Sequence, residues 1–268
     1  MHNEIVHFAP ANGFTAGTYE KLFDLLRTDY TVTSIEKFGH NPRYPVNDNW
    51  LNLADELIDS IEQHTNEPVT GVGHSLGSVL TFMAAHKEPG LFKQVILLDP
   101  PLIDGAGALL FRAIKKLGIL DRSGLVTKSK KRRTQWPGVE EAEEYLRGKP
   151  PFKYFDPDCL RNYLQYSTTT SENGLRLTFD INVESEIYRT VPHNIGSYKR
   201  VLGIPGTIII GKDTYRQSGY MLSRFARRQG FDFERLSYGS HLFPLEYPEQ
   251  TAALIRKAIA KPNRSIVQ

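Results

Sequence analysis

The pentapeptide Gly73-His74-Ser75-Leu76-Gly77 constrains the fold of this chain more than any other stretch. The short apolar run at residues 69–72 leads directly into it, and apolar residues at helical spacing follow over residues 79–85. A serine on so sharp a strand-to-helix turn projects its hydroxyl out of the fold, and flanking glycines permit the strained backbone and close packing. The pattern predicts a nucleophile at Ser75. The alternative is a tight turn with an incidental serine.

The length of 268 residues and the hydrophobic fraction of 40% fit one large domain that carries an insertion. No apolar run approaches the length of a membrane span, and the predicted first strand begins too early to leave room for a signal peptide. The single cysteine, Cys159, excludes an internal disulfide framework and suits a reducing compartment. We therefore expect a cytoplasmic protein without a structural zinc site.

Strand and helix patterns alternate along the first hundred residues, which predicts a parallel sheet covered by helices on both faces. Strand character of this kind returns at residues 205–211, and a helix is predicted at residues 217–229. We expect a core formed by residues 1–100 and 204–268. The insertion, residues 101–203, is expected to be mainly helical with a possible strand pair at 175–179 and 186–191, and to lie over the ligand site.

An activated serine needs a base, and the base needs an acid that orients it. Among eight histidines, His241 stands apart because it follows the last predicted strand and precedes the final helix. Two aspartates, Asp99 and Asp213, sit just past strand ends and both fall between the serine and His241 in sequence. We favour Asp213 because its strand is nearer to the histidine loop along the chain. Asp99 remains the alternative.

A tetrahedral intermediate needs hydrogen-bond donors that point at its oxygen. The backbone N–H of Leu76, directly after the serine, is the natural first donor. A second donor is expected from the loop at residues 9–17, whose small residues allow close backbone approach. An ordinary flexible loop is the alternative interpretation of that segment.

Together, the pentapeptide, Asp213 in its Gly-x-Asp ending and the Gly239-Ser240-His241 sequence resemble the α/β-hydrolase superfamily. Residues 241–249 are also similar to the histidine region of its monomeric esterase-like members. The resemblance covers residues 1–100 and 204–265 and is vaguer across the insertion, which looks like the family's cap domain. It implies an α/β-hydrolase fold.

The resemblance also implies roles for the first loop. Family members usually carry His-Gly there, and Asn12-Gly13 stands in its place. By that match the N–H of Phe14 supplies the second oxyanion donor, and the asparagine braces the loop. We expect Asn12, Gly13 and His74 to lie against the substrate.

The mechanism implied is acyl transfer through Ser75, with His241 as base and Asp213 holding the imidazole tautomer. It requires neither a metal nor an organic cofactor. The substrate is expected to be a small carboxylic ester or thioester with an apolar acyl or aryl group, because the insertion is rich in aromatic residues. Alternatives are a C–C bond hydrolase, a lactonase, an acyltransferase, and a non-catalytic ligand-binding protein of the same fold.

A basic run at residues 112–133 holds nine Lys or Arg against one acid. Such runs are usually solvated faces, and attraction of an anionic substrate, an anionic membrane surface or nucleic acid are the alternatives. No aromatic residues alternate with the charges as a base-stacking platform requires, so we expect no nucleic-acid partner. The apolar side of the preceding helical pattern, with Leu109, Leu110 and Leu117, is expected to roof the pocket. Oligomeric state is left open.

Overall fold

The computed structural model describes residues 4–103, 105–122, 124–198 and 202–261. Strands and helices alternate over its first part, as the sequence predicts. The elements are β1 Ile5–Ala9, α1 Glu20–Arg27, β2 Thr31–Ser34, α2 Leu51–His64, β3 Val69–His74, α3 Leu76–Lys87 and β4 Phe92–Leu98.

The insertion follows β4 and consists of helices and a small antiparallel sheet of order β5-β7-β6. Its elements are α4 Ala106–Lys116, α5 Gly124–Lys130, β5 Gln135–Trp136, α6 Val139–Arg147, α7 Pro157–Ser167, β6 Thr168–Ser171, β7 Gly174–Leu177 and α8 Ile181–Arg189. The strand predicted at residues 186–191 is wrong, because this stretch belongs mostly to α8. The carboxylate of Asp180 caps that helix by accepting a hydrogen bond from the N–H of Asn182 at 2.8 Å.

The chain then returns to the central sheet. The elements of this last part are β8 Gly206–Ile210, α9 Lys212–Gln229, β9 Asp232–Arg235, α10 Phe243–Glu246 and α11 Pro248–Ile259. Helix α9 begins directly after β8, several residues earlier than the sequence pattern predicts. That early start matters for the candidate site, because Asp213 becomes part of its first turn.

Six parallel strands form the central sheet in the order β2-β1-β3-β4-β8-β9. Alternate side chains of β4 point to opposite faces, so Leu97 joins one buried cluster and Ile96 the other. Helices α2, α3 and α9 cover the first face, and α1 and α11 cover the second. The fold is thus the doubly covered parallel sheet that the sequence predicts, and its strands all end at one edge.

No helix among the described residues combines the length and the apolar character that crossing a membrane would need.

Candidate active site

The turn between β3 and α3 holds Ser75 in a strained backbone conformation, with φ of 53° and ψ of −115°. Two glycines allow this turn to pack against its surroundings. A Cβ on Gly73 would lie 2.3 Å from the carbonyl oxygen of Gly77, and one on Gly77 would lie 2.0 Å from the carbonyl oxygen of Ala9. Strain of this kind persists only where neighbouring structure enforces it, and it is concentrated at functional sites.

His241 lies in the loop between β9 and α10 and contacts the serine. Its Nε2 is 2.8 Å from Ser75 Oγ, and its Nδ1 is 2.8 Å from Asp99 Oδ2. Because a carboxylate only accepts hydrogen bonds, Nδ1 carries the proton and Nε2 presents a lone pair to the serine hydroxyl. Glu246 fixes the loop by accepting hydrogen bonds from the N–H and the hydroxyl of Ser240. The imidazole is therefore oriented to remove the serine's proton.

The carboxylate beside His241 belongs to Asp99, the second candidate for the orienting acid. The preference for Asp213 disagrees with the structure. Asp99 follows β4, is 1% exposed and has a positive φ of 50°. Its Oδ1 accepts from the N–H of Gly211 at 3.1 Å, and its Oδ2 accepts from Thr214 Oγ1 at 2.5 Å as well as from His241. Three donors thus hold one buried carboxylate in place.

Asp213 lies instead in the first turn of α9, exposed on the cavity wall. The reason is the order of the strands in space. The strand before Asp99 lies next to β3, which carries Ser75, whereas β8 lies one strand farther away. Distance along the sequence to the histidine loop was therefore a misleading guide.

Of the two predicted oxyanion donors, Leu76 is the first residue of α3, so its N–H has no acceptor within the helix. The N–H of Phe14 makes a long turn contact of 3.3 Å with the carbonyl oxygen of Ala11. Asn12 braces the loop as expected, because its Nδ2 donates to the carbonyl oxygen of Glu184 at 3.1 Å. Gly13 adopts a φ of 81°, which favours glycine. The loop therefore approaches the serine from the end of β1, while its use as an oxyanion donor stays a prediction.

The expectation that His74 lies against the substrate is wrong. His74 is fully buried, and its ring links three parts of the site. Its Nδ1 is 2.7 Å from the hydroxyl of Tyr19, which also accepts from the N–H of Ala11 at 3.4 Å. Its Nε2 donates to the carbonyl oxygen of His241 at 2.9 Å. Burial, with a smaller contribution from His241, lowers the pKa of His74 to about 3, so its ring is neutral and holds the histidine loop.

The site opens into a cavity of about 1190 Å³. Ser75, His241, Asp99 and Asn12 line it from the core. Gly13, which was expected against the substrate, and His74 do not belong to the described lining. Its apolar wall combines both parts of the chain, with Phe14, Leu102, Leu146, Phe152, Met221 and Leu242.

Helix α4 does not roof this cavity, contrary to the expectation from its apolar pattern. Leu109 and Leu117 are 71% and 73% exposed, and none of the residues of α4 lies on the described wall. The neighbouring α5 and the segment after it line the cavity instead.

A partly buried ion pair in the insertion was not predicted. Arg132 Nη1 donates to Glu184 Oε2 at 2.8 Å, and its Nη2 donates to the hydroxyl of Tyr163. A Cβ on Gly13 would lie 3.0 Å from Arg132 Nη1, so the pair packs directly against the loop after β1. Residues 52 positions apart form this pair, and no local pattern signals such a contact.

In the parts of the chain that the structure describes, no group of three or more His, Cys, Asp or Glu side chains is arranged to hold a metal ion.

Comparison with known proteins finds relatives that match part of this chain. The abhydrolase domain-containing protein AFT2-1 of Alternaria alternata is 31% identical over 114 residues, which are 41% of this chain and 37% of that protein. The chain thus matches little more than a third of that relative's length.

Two solved structures share the fold at low sequence identity. E-2-(acetamidomethylene)succinate hydrolase superposes with a TM-score of 0.78 at 20% identity, covering 97% of this chain and 92% of that one. A thioesterase domain from the curacin biosynthetic pathway superposes with a TM-score of 0.72 at 18% identity, covering 95% and 91%. A family model described as the alpha/beta hydrolase family matches residues 7–254. This match spans nearly the whole sequence, and the chain belongs to the alpha/beta hydrolase family.

Proposed function

We propose that this protein is a serine hydrolase that cleaves carboxylic esters or thioesters through an acyl-enzyme on Ser75. The observation that carries the proposal is the continuous hydrogen-bond chain from Ser75 Oγ through both nitrogens of His241 to Asp99, with 2.8 Å at each step. Hydrolysis through a serine nucleophile requires that the serine is hydrogen-bonded to a base and that the base is hydrogen-bonded to an orienting acid. Asp99 replaces Asp213 as the acid in this proposal.

In the first half of the reaction, His241 Nε2 takes the proton of Ser75 while Oγ bonds to the substrate carbonyl carbon. The carbonyl oxygen becomes an oxyanion near the N–H groups of Leu76 and Phe14, the candidate donors. When the tetrahedral intermediate collapses, the bond to the leaving alcohol or thiol breaks, and His241 gives that group its proton. Asp99 stays ionised and stabilises the transient imidazolium.

In the second half, a water molecule replaces the leaving group. His241 takes one proton of the water as its oxygen bonds to the acyl carbon. Collapse of the second intermediate breaks the bond to Ser75, whose oxygen regains the proton. The products are a carboxylic acid and the regenerated enzyme, so the cycle needs water as its second substrate.

The cavity wall supports the choice of substrate. Phe14, Phe152 and Met221 give the cavity that holds Ser75 an apolar surface, which suits an apolar acyl or aryl group. The names of the two superposed structures, a hydrolase and a thioesterase, are compatible with this class of bond.

A fluorophosphonate probe tests the proposal, since it reacts only with an activated serine. We expect the native protein to be labelled and Ser75→Ala to lose all labelling. Ser218→Ala is the matched control, because Ser218 lines the same cavity but lies on α9 away from the turn. A screen of 4-nitrophenyl esters and acyl thioesters should show turnover that Ser75→Ala lacks. Native, folded protein that neither reacts with the probe nor cleaves any ester would instead be a ligand-binding protein.

A further inference from the structure

The wall of the active-site cavity carries an excess of positive charge. Five of its side chains are cationic, and all five come from the insertion: Lys128, Lys131, Arg132, Arg133 and Lys149. Three are carboxylates: Asp99, Glu184 and Asp213. Part of the basic run, for which a solvated face and attraction of an anionic substrate are alternative interpretations, therefore lines the same cavity as Ser75.

Two of these cations are already neutralised by ion pairs. Arg132 lies 2.8 Å from the carboxylate of Glu184, and Arg133 lies 2.6 Å from that of Glu141. Asp99 is committed to His241. The two arginines therefore hold the insertion together and do not set the charge that a ligand meets.

The three lysines are different. Lys128, Lys131 and Lys149 are exposed at the cavity, and none has a carboxylate within 4.0 Å among the described residues. Lys149 lies over the ring of Tyr145, with 4.3 Å from Nζ to the ring centre. Among the described carboxylates of the wall, Asp99 is bound to His241 and Glu184 is bound to Arg132. Asp213 is the one that has no such partner among the described residues.

We infer that the cavity accepts substrates that carry an anionic group, a carboxylate or a phosphate, in addition to the apolar group beside the scissile carbonyl. This inference rests on the proposed function, because it names the substrate class of that site. Unpaired cations around a cavity with low-dielectric walls concentrate anions there and raise association rates by roughly 10- to 1000-fold. Lysine also binds carboxylate and phosphate without demanding one geometry.

The two sources of the negative charge are separated by two pairs of substrates. In the acyl arm, 4-nitrophenyl glutarate, which has a free carboxylate, is compared with 4-nitrophenyl pentanoate. In the leaving-group arm, pentanoyl-coenzyme A, which carries phosphates, is compared with pentanoyl-N-acetylcysteamine. We expect kcat/KM to be at least about tenfold higher for the anionic member of one arm, and this ratio to fall in 0.5 M salt because mobile ions screen exposed charges.

Charge-removing variants assign the effect to the lysines. In Lys128→Gln/Lys131→Gln the ratio of kcat/KM between the anionic and the neutral substrate should fall to about twofold or less. Lys130→Gln is the matched control, since Lys130 is an exposed lysine of the same helix that does not line the cavity. A ratio near one in both arms, or a high ratio that the double variant keeps, overturns the inference.

A binding measurement keeps this test apart from that of the proposed function. Ser75→Ala cannot form an acyl-enzyme, so calorimetry can compare its affinity for the two thioesters and for glutarate and pentanoate. Tighter binding of the anionic members that weakens in a background of Lys128→Gln/Lys131→Gln supports the inference even if the native chain hydrolyses nothing. Equal binding overturns it even if neutral esters are cleaved.

Discussion

Replacing Asp99 with asparagine should disable catalysis while leaving the fold intact. Asparagine tolerates a positive φ, so the backbone at 50° can be kept. The N–H of Gly211 donates to Oδ1, which fixes the asparagine's own oxygen at that position. Its amide NH₂ then occupies the place of Oδ2 and faces Nδ1 of His241. A donor there forces the imidazole proton onto Nε2. The Nε2–H then points at Ser75, and Nε2 has no lone pair left to accept the serine's proton.

The magnitude follows from the loss of the base. In chymotrypsin-type proteases the same exchange costs about 10⁴ in kcat. At about 1.4 kcal/mol for each factor of ten, this is about 5 kcal/mol of transition-state stabilisation. Asp213→Asn removes the same charge from an exposed side chain that makes no hydrogen bond to His241 in the structure, so we expect at most about a twofold change.

The assay compares kcat/KM for a neutral ester, 4-nitrophenyl pentanoate, in both variants, together with the rate of fluorophosphonate labelling. Thermal unfolding serves as the control for the fold. If Asp99→Asn keeps activity within tenfold of native while folded, the carboxylate does not set the tautomer of His241. If Asp213→Asn loses as much as Asp99→Asn, the acid is misassigned.

Three further predictions concern stability. The free energy of unfolding, measured in urea, should be about 1 kcal/mol higher for Ser75→Gly than for Ser75→Ala, because glycine relieves the strain at φ 53° and ψ −115°. Equal stabilities of the two variants would show that the turn stores no strain. Gly77→Ala should lose more than about 3 kcal/mol, since its Cβ would meet backbone at 2.0 Å, whereas Gly90→Ala, with open space around it, should change stability by less than about 0.5 kcal/mol. Burial lowers the pKa of His7 to about 3, so its contribution to stability is complete above pH 6.5 and is lost as the pH falls, by about 2 kcal/mol between pH 7 and 5. Burial raises the pKa of Glu56 to about 7, which changes stability in the opposite sense over this range. Between pH 7 and pH 5, the free energy of unfolding measured in urea should therefore fall less for His7→Gln than for the native chain. The same pH dependence in both proteins would refute the lowered pKa of His7.

The sequence is most informative where the backbone itself is constrained. The glycines around Ser75 must be glycines because backbone atoms lie within 2.3 Å of where a Cβ would be, and this requirement is visible as a motif. His241 was identified because a loop after a parallel strand reaches the same edge as the serine. These two residues indeed meet at 2.8 Å.

Contacts between distant segments are harder to predict. Asp99 and Asp213 both follow strands, and only the spatial order of β4 and β8 decides which one reaches His241. The same limit applies to the insertion, where the pair of Arg132 and Glu184 depends on how α8 packs against the segment after α5. Exposed leucines of α4 show that an amphipathic pattern does not reveal which surface the apolar side will face.

His74 shows why the residue between glycine and serine in the motif matters for the site as a whole. Its ring accepts from Tyr19 on one side and donates to the carbonyl of His241 on the other, at 2.7 and 2.9 Å. The loop after β1 joins this chain through the N–H of Ala11 and the Tyr19 hydroxyl. The segment of the candidate nucleophile, the segment of the candidate base and the loop expected to supply an oxyanion donor are thus connected by one buried, neutral imidazole. Since protonation of that ring would remove its acceptor toward Tyr19, its low pKa preserves the connection at neutral pH. We therefore expect the alignment of Ser75 with His241 to depend on a side chain that does not line the cavity.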